Sequence, residues 1–111
     1  MTGQNPSHES NGVLQKKMEK IASQLKLELK RLGNSPAESS GNTELYNQFV
    51  TQILEVKEET SHPDYIISLS TAADRLKKAA EQAKNKAPNK DILIHLQAAN
   101  AEMCKCKNIT S

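Results

Sequence analysis

The stretch from His62 to Pro88 constrains the fold more than any other part of this sequence. Its apolar residues recur in alternating steps of three and four, which is the period of one α-helix face and not that of a strand. Pro63 in the first turn, and Ser61 three residues before Asp64, mark its start, while Pro88 marks its end. The segment therefore predicts an amphipathic helix with a stripe formed by Ile66, Leu69, Ala73, Leu76, Ala80 and Ala83.

The same periodicity recurs in three other segments. Together they predict helices over residues 12–32, 44–59, 63–86 and 90–106, separated by polar linkers with Gly or Pro in or directly after each linker. Short linkers between consecutive helices favour antiparallel neighbours. Each helix has one apolar stripe to bury, so the simplest closure is an all-α, antiparallel up-down-up-down four-helix bundle.

Length and composition suit one helical domain with a modest core. The chain has 111 residues, of which 36% are hydrophobic, 25% are charged and only 3% are aromatic. A core with few rings has to be built from aliphatic side chains, which favours close helix packing. We expect a single domain over residues 11–107, a disordered N-terminal tail at 1–10 and a frayed C-terminus at 108–111.

Several function classes lose support from charge and cysteine usage. A net charge of +2 is too small to indicate a nucleic-acid or membrane partner by itself. No apolar run approaches the roughly 20 residues that span a bilayer, and the polar N-terminus lacks a signal-peptide pattern. Cys104 and Cys106 are too close in sequence to staple the fold. This usage favours a reducing compartment, the cytoplasm or the nucleus.

The sequence offers few residues that could form a metal-binding or catalytic site. Cys104, Cys106 and His95 are ligand types for a soft metal, but structural zinc wants four ligands and the sequence has no second cysteine pair. No Gly-rich loop surrounds a nucleophile, and no aromatic set would line a substrate pocket. We therefore predict no catalytic residue, cofactor or metal site, and no enzyme. Ser35, followed by Pro36, is an open question as a phosphorylation site.

The first helix carries a basic face, whereas the second helix is acidic. Glu55, Glu58 and Glu59 lie at the negative end of the second helix dipole, so we expect a basic group beside them. Opposite charges would then orient the two helices as antiparallel neighbours. Glu28 interrupts the basic face, and we interpret Leu27 as an ordinary exposed leucine.

These observations predict a small non-enzymatic interaction module, an adaptor or a subunit, that binds another protein by helix–helix recognition. The alternative is nucleic-acid or other polyanion binding through the basic face, although that face has no aromatic residue for base stacking. A homo-oligomer is compatible with either interpretation, and so is a first helix that packs outside its own chain. The candidate partner-binding residues are Lys16, Lys17, Lys20, Lys26, Lys30 and Arg31.

Overall fold

Residues 6–110 form an all-α bundle of four antiparallel helices. A computed structural model describes the backbone of residues 6–110 and the side chains of residues 14–105. The helices are α1 (Pro6–Gly33), α2 (Thr43–Glu59), α3 (Pro63–Lys84) and α4 (Asn89–Thr110). Within the described residues, α1 packs on α2 and α4, and α3 packs on the same two helices. The pairs α1–α3 and α2–α4 are thus the diagonals of the up-down-up-down arrangement predicted from the sequence.

The helix bounds differ from the predicted ones mainly at the chain ends. Helix α1 begins at Pro6 rather than at residue 12, so residues 6–10 of the predicted tail have helical backbone. Proline is well suited to a first helical position, since its missing N–H has no partner there anyway. Helix α4 likewise continues to Thr110, into the stretch predicted to fray. Residues 1–5 and 111 of the predicted ends lie outside the described part of the chain.

Local capping explains where α2 and α3 begin. The Asn42 side chain accepts a hydrogen bond from the Leu45 N–H at 3.1 Å, as expected for an N-cap asparagine. The start of α3 is capped by His62, whose Nδ1 accepts from the Asp64 N–H at 3.3 Å. The sequence pattern had pointed to Ser61 for this role. That prediction was off by one residue because an imidazole nitrogen can accept the same bond.

Helix α3 is the central packing element, as predicted from its alanine-rich stripe. Its backbone contacts with α2 and with α4 are each more extensive than those that α1 makes with either helix. Small side chains permit this, because they keep little volume between neighbouring helix axes. Tyr46 and Phe49 of α2 supply the two fully buried rings of the core. The α3 residues buried in these contacts are Tyr65, Ser68, Leu69, Ala72, Ala73, Leu76, Ala79 and Ala80.

The bundle is an elongated rod of 56 × 20 × 20 Å. Helix α1 is amphipathic, and its apolar stripe (Leu14, Met18, Ile21, Leu25 and Leu32) is buried against the other helices. This answers the open question of whether α1 packs on its own chain, and it leaves the opposite face of α1 in solvent. Across the described residues, every helix is too short or too polar to cross a membrane.

Candidate functional site

The six basic residues predicted to bind a partner do not form one surface. Lys17 lies on the side of α1 that faces α2, where its Nζ is 3.1 Å from both carboxylate oxygens of Glu59. This ion pair is the basic neighbour expected for the acidic end of α2. Farther along the pair, Glu28 of α1 is bonded to Tyr46 near the start of α2, so the two contacts together confirm that these helices are antiparallel. Because Lys17 is already paired with Glu59, its charge stabilises the bundle and is not free to bind a partner.

Arg31 is also engaged inside the chain, in a network around a buried carboxylate. Its guanidinium donates to Glu28 through Nε at 2.8 Å and Nη2 at 2.6 Å, and Tyr46 donates its hydroxyl to Glu28 Oε2 at 2.5 Å. Burial by itself raises the pKa of Glu28, but the hydrogen bonds from Arg31 and Tyr46 outweigh it, and the pKa lies below its usual value. Burial, followed by the bond to Glu28, raises the pKa of Tyr46. Glu28 is therefore an ionised acceptor that ties α1 to α2.

The network continues into the linker between α1 and α2 and from there to α4. Arg31 Nη2 donates to the Ser40 carbonyl at 2.8 Å. Asn89, which is fully buried, donates through Nδ2 to the Ser35 carbonyl at 2.8 Å and to Ser40 Oγ at 2.9 Å, while its Oδ1 accepts from the Ser40 N–H at 2.9 Å. The predicted fourth helix begins at residue 90, whereas α4 begins at Asn89, and the side chain of Asn89 holds the linker in place.

Lys26 lies on the opposite side of α1, beside α4. There it borders a surface groove of about 290 Å³ between the two helices. Met18 and Met103 give this groove an apolar floor, and both are buried. Lys26 is thus separated from Lys17 and Arg31 by the width of the helix. The residues that line the groove are Gln15, Met18, Glu19, Ala22, Ser23, Lys26, Met103 and Cys104.

The three remaining lysines share the face of α1 that points into solvent. Lys16, Lys20 and Lys30 are exposed and fall on one row with Ser23 and Leu27, at steps of four, three, four and three. Residues spaced in this way lie one above another on a helix. Leu27 is 69% exposed, the highest value among the exposed large apolar residues of the described chain. The row therefore combines positive charge with one unburied apolar side chain, and we call it the basic row.

Sequence reasoning missed two members of these sites. Glu28 was counted among surface charges, although it lies three residues after Leu25 and four before Leu32, which places it on the apolar stripe. A charged residue at a seam position, with Arg31 one turn later, was the signal that could have revealed it. Leu27 was set aside as a single exposed leucine. Its position between lysines at the same helical spacing was the overlooked pattern.

The residues considered for metal binding lie on different sides of α4. Burial, followed by the charges of Arg75 and Lys78, lowers the pKa of His95, which places its imidazole on the α3 side. Cys104 borders the groove on the α1 side and has a free thiol. The described residues contain no cluster of three or more His, Cys, Asp or Glu able to hold a metal ion. The side chain of Cys106 lies outside the described part of the chain.

No protein-family model, curated protein or solved structure matches this chain. Its function has therefore to be inferred from the chemistry of its own surfaces.

Proposed function

We propose that the protein is a non-enzymatic interaction module whose basic row binds an acidic helical surface of a protein partner. Leu27 is the observation that carries this proposal. An exposed leucine gains little in solvent, but fully burying such a side chain contributes roughly 1.5–3 kcal/mol. Lysines around an apolar centre match the common anatomy of an interface, with a dry core and a polar rim. The proposed setting is the cytoplasm or the nucleus, where the free thiol of Cys104 would stay reduced.

Helix–helix recognition fits the spacing of the basic row. Residues at steps of four and three form a straight ridge, and such ridges pack into the grooves of a second helix. A partner helix with acidic residues at the same spacing would meet Lys16, Lys20 and Lys30 at once. Electrostatic attraction would set the orientation and speed of binding, while Leu27 would supply the apolar contact.

Polyanion binding is the second candidate, and one observation favours it. Lys16, Lys20 and Lys30 form no ion pair with another described residue, so their charges are available to phosphates. Phosphate contacts would make binding strongly salt-dependent and indifferent to an apolar side chain. Leu27 therefore separates the two candidates, since only a protein partner would use it.

The test compares two probes against the same variants. The first probe is a fluorescent designed helical peptide in which glutamates flank a stripe of leucines. The second probe is heparin of similar length, and both are titrated at low and at moderate salt. We expect Leu27→Ser to weaken peptide binding several-fold and to leave heparin binding unchanged. Heparin binding that exceeds peptide binding, with no effect of Leu27→Ser, would favour the polyanion candidate.

A matched pair of charge variants locates the surface. The test variant reverses the basic row (Lys16→Glu, Lys20→Glu and Lys30→Glu) and should abolish peptide binding. The control variant makes the same charge change at exposed lysines of α3 and α4 (Lys77→Glu, Lys78→Glu and Lys90→Glu). If both variants lose binding equally, attraction to overall charge explains the result and the basic row is not a specific surface.

A further inference from the structure

Helix α2 carries an acidic counterpart of the basic row on its own solvent face. This acidic row consists of Glu44, Gln48, Thr51, Glu55 and Glu58, all exposed and again at steps of four, three, four and three. None of its three glutamates forms an ion pair within the described chain, and none is hydrogen-bonded there through its side chain. One bundle thus presents two adjacent helices with unused charges of opposite sign and identical spacing.

The register of α1 against α2 determines which residues of the two rows lie at the same height along the bundle. Lys17 meets Glu59 near one end of this pair, and Glu28 meets Tyr46 near the other. Because the helices are antiparallel, residue numbers at equal height fall on one helix as they rise on the other. Continuing this register along both helices puts Lys20 level with Glu55 and Lys30 level with Glu44, each to within one residue. Lys16 lies about two residues, or about 3 Å, from the height of Glu58.

We propose that the acidic helical partner is α2 of a second copy of this chain, so that the protein forms a symmetric dimer through its α1–α2 side. This inference rests on the proposed function, because it names the partner of the basic row. A two-fold axis parallel to the helices places α1 of each copy over α2 of the other, without changing height. Each dimer then contains the pairs Lys16–Glu58, Lys20–Glu55 and Lys30–Glu44 twice.

The centre of this contact lies at a shallow groove between α1 and α2. Its volume is about 200 Å³, and both Lys20 and Glu55 line it, so both side chains border the α1–α2 side of the bundle. In the dimer each of these residues reaches its opposite charge across the symmetry axis. Leu27 lies level with Gln48 of the other copy, whose methylenes can cover the leucine.

Charge also selects this dimer over the other face-to-face arrangement. A two-fold axis perpendicular to the helices would place α1 over α1 and α2 over α2. Lysines would then face lysines and glutamates would face glutamates, and such like-charge contacts disfavour a wrong pairing. Only the axis parallel to the helices brings the two rows together with opposite charges.

The size of the interface predicts weak association. Each row spans 14 residue steps, or about 21 Å at 1.5 Å per residue, on a bundle 20 Å wide. The contact therefore covers about 400 Å² per copy, roughly half of the 800 Å² typical of stable complexes. We expect a dissociation constant of roughly 10 μM to 1 mM that rises steeply with salt.

The experiment is charge reversal with complementation, followed by sedimentation velocity at low salt over a concentration series. One variant reverses the basic row (Lys16→Glu, Lys20→Glu, Lys30→Glu), and the other reverses the acidic row (Glu44→Lys, Glu55→Lys, Glu58→Lys). We expect the wild type to self-associate and each variant alone to be monomeric. An equimolar mixture of the two variants should recover a 1:1 heterodimer. The α3–α4 control variant (Lys77→Glu, Lys78→Glu, Lys90→Glu) should self-associate like the wild type.

Three outcomes would overturn the inference. These are a wild type that stays monomeric up to about 1 mM at low salt, a reversed variant that still self-associates, or a mixture that does not form the heterodimer. If the wild type is monomeric but still binds the designed acidic peptide, the proposed function stands, and only the identification of the partner as a second copy of this chain is overturned. Circular dichroism checks that each variant is folded. If a triple variant is unfolded, Lys20→Glu and Glu55→Lys repeat the test with single substitutions.

Discussion

Two regions of the α1–α2 pair use charge in opposite ways. Near the linker, Arg31 and Glu28 are bonded to each other and to residues of α2 and the linker. On the solvent face, Lys20 and Lys30 have the same sign of charge as Arg31 but no partner among the described residues. Lys30 and Arg31 are adjacent in sequence, yet the 100° turn between them separates a structural charge from an available one. The difference shows that helical phase decides the role of a charge here.

The largest effect should come from Asn89, where the linker is attached. Asn89→Ala removes three hydrogen bonds of a fully buried side chain and leaves the Ser40 N–H without its acceptor. The loss of three bonds made by a fully buried side chain should lower the free energy of unfolding by about 2–4 kcal/mol. Urea unfolding measures this as a lower midpoint at an unchanged slope.

The matched control for this change is Asn47→Ala. Asn47 is exposed on α2, and its side chain makes no hydrogen bond to the described residues. We expect a change within about 0.5 kcal/mol, because surface substitutions away from such contacts have small effects. Equal effects at Asn89 and Asn47 would mean that the linker contacts contribute nothing beyond helix propensity.

The second effect should come from Glu28, the buried carboxylate. Glu28→Gln keeps the shape of the side chain but replaces its charge-assisted bonds to Arg31 and Tyr46 with neutral ones. We expect a loss of about 1–3 kcal/mol at neutral pH, the usual contribution of bonds to a charged group. The measurement is again the free energy of unfolding, for wild type and variant side by side.

The pH dependence of this difference has a definite sign. The folded chain holds the pKa of Glu28 below the ordinary value of 4.5. A lowered pKa means that the stabilisation is present above pH 4.5 and is lost as the pH falls through the folded pKa. The gap between wild type and Glu28→Gln should therefore be constant near neutrality and should narrow below pH 4.5. If the stability difference between wild type and Glu28→Gln instead widened in acid, the folded chain would raise the pKa of Glu28 rather than lower it.

The third effect tests how closely the linker packs on α3 and α4. A Cβ at Gly41 would lie 2.5 Å from Ile92 Cδ1 and 2.9 Å from Ala83 Cβ, so Gly41→Ala forces these neighbours to move. Overpacking of this kind should cost about 1–3 kcal/mol, measured as a lower thermal midpoint. Gly33→Ala is the control, since nothing lies within 4 Å of its added Cβ. It should be neutral or slightly stabilising at the end of α1.

The fold could be read from the sequence because its signals are periodic and local. The four stripes, the glycine and proline boundaries and the acidic end of α2 each predicted a feature that the structure contains. Helix ends were less accurate at Ser61 and Asn89, where several residue types can satisfy the same backbone groups. The buried network escaped prediction because it joins Glu28, Tyr46 and Asn89, which are distant in sequence.

The candidate site was predicted only in part for a related reason. Sequence alone grouped Lys16 with Lys17, and Lys30 with Arg31, because the members of each pair are adjacent. Which side of α1 faces α2 depends on how the whole bundle closes, and this decides that Lys17 reaches α2 and that Arg31 reaches the linker. Leu27 gains significance only when its neighbours in space are known. Helical phase relative to the partner helices was the missing information.

The smallest expected change in stability distinguishes a lysine that is paired within the bundle, Lys17, from one that is unpaired there, Lys20. Lys17→Ala breaks the 3.1 Å ion pair with Glu59, but both side chains are 46% exposed, so the expected loss is only about 0.3–1 kcal/mol at low salt. Lys20→Ala removes a lysine with no ion pair in the described chain and should change stability by no more than about 0.5 kcal/mol. Added salt should reduce the stability loss caused by Lys17→Ala, because screening weakens exposed ion pairs.

Double-mutant cycles with Glu59→Ala measure the coupling energy between each lysine and Glu59. If Lys20 were coupled to Glu59 as strongly as Lys17 is, the charge of Lys20 would already be paired within the bundle. The basic row would then lack the unpaired charge that binding to a partner requires.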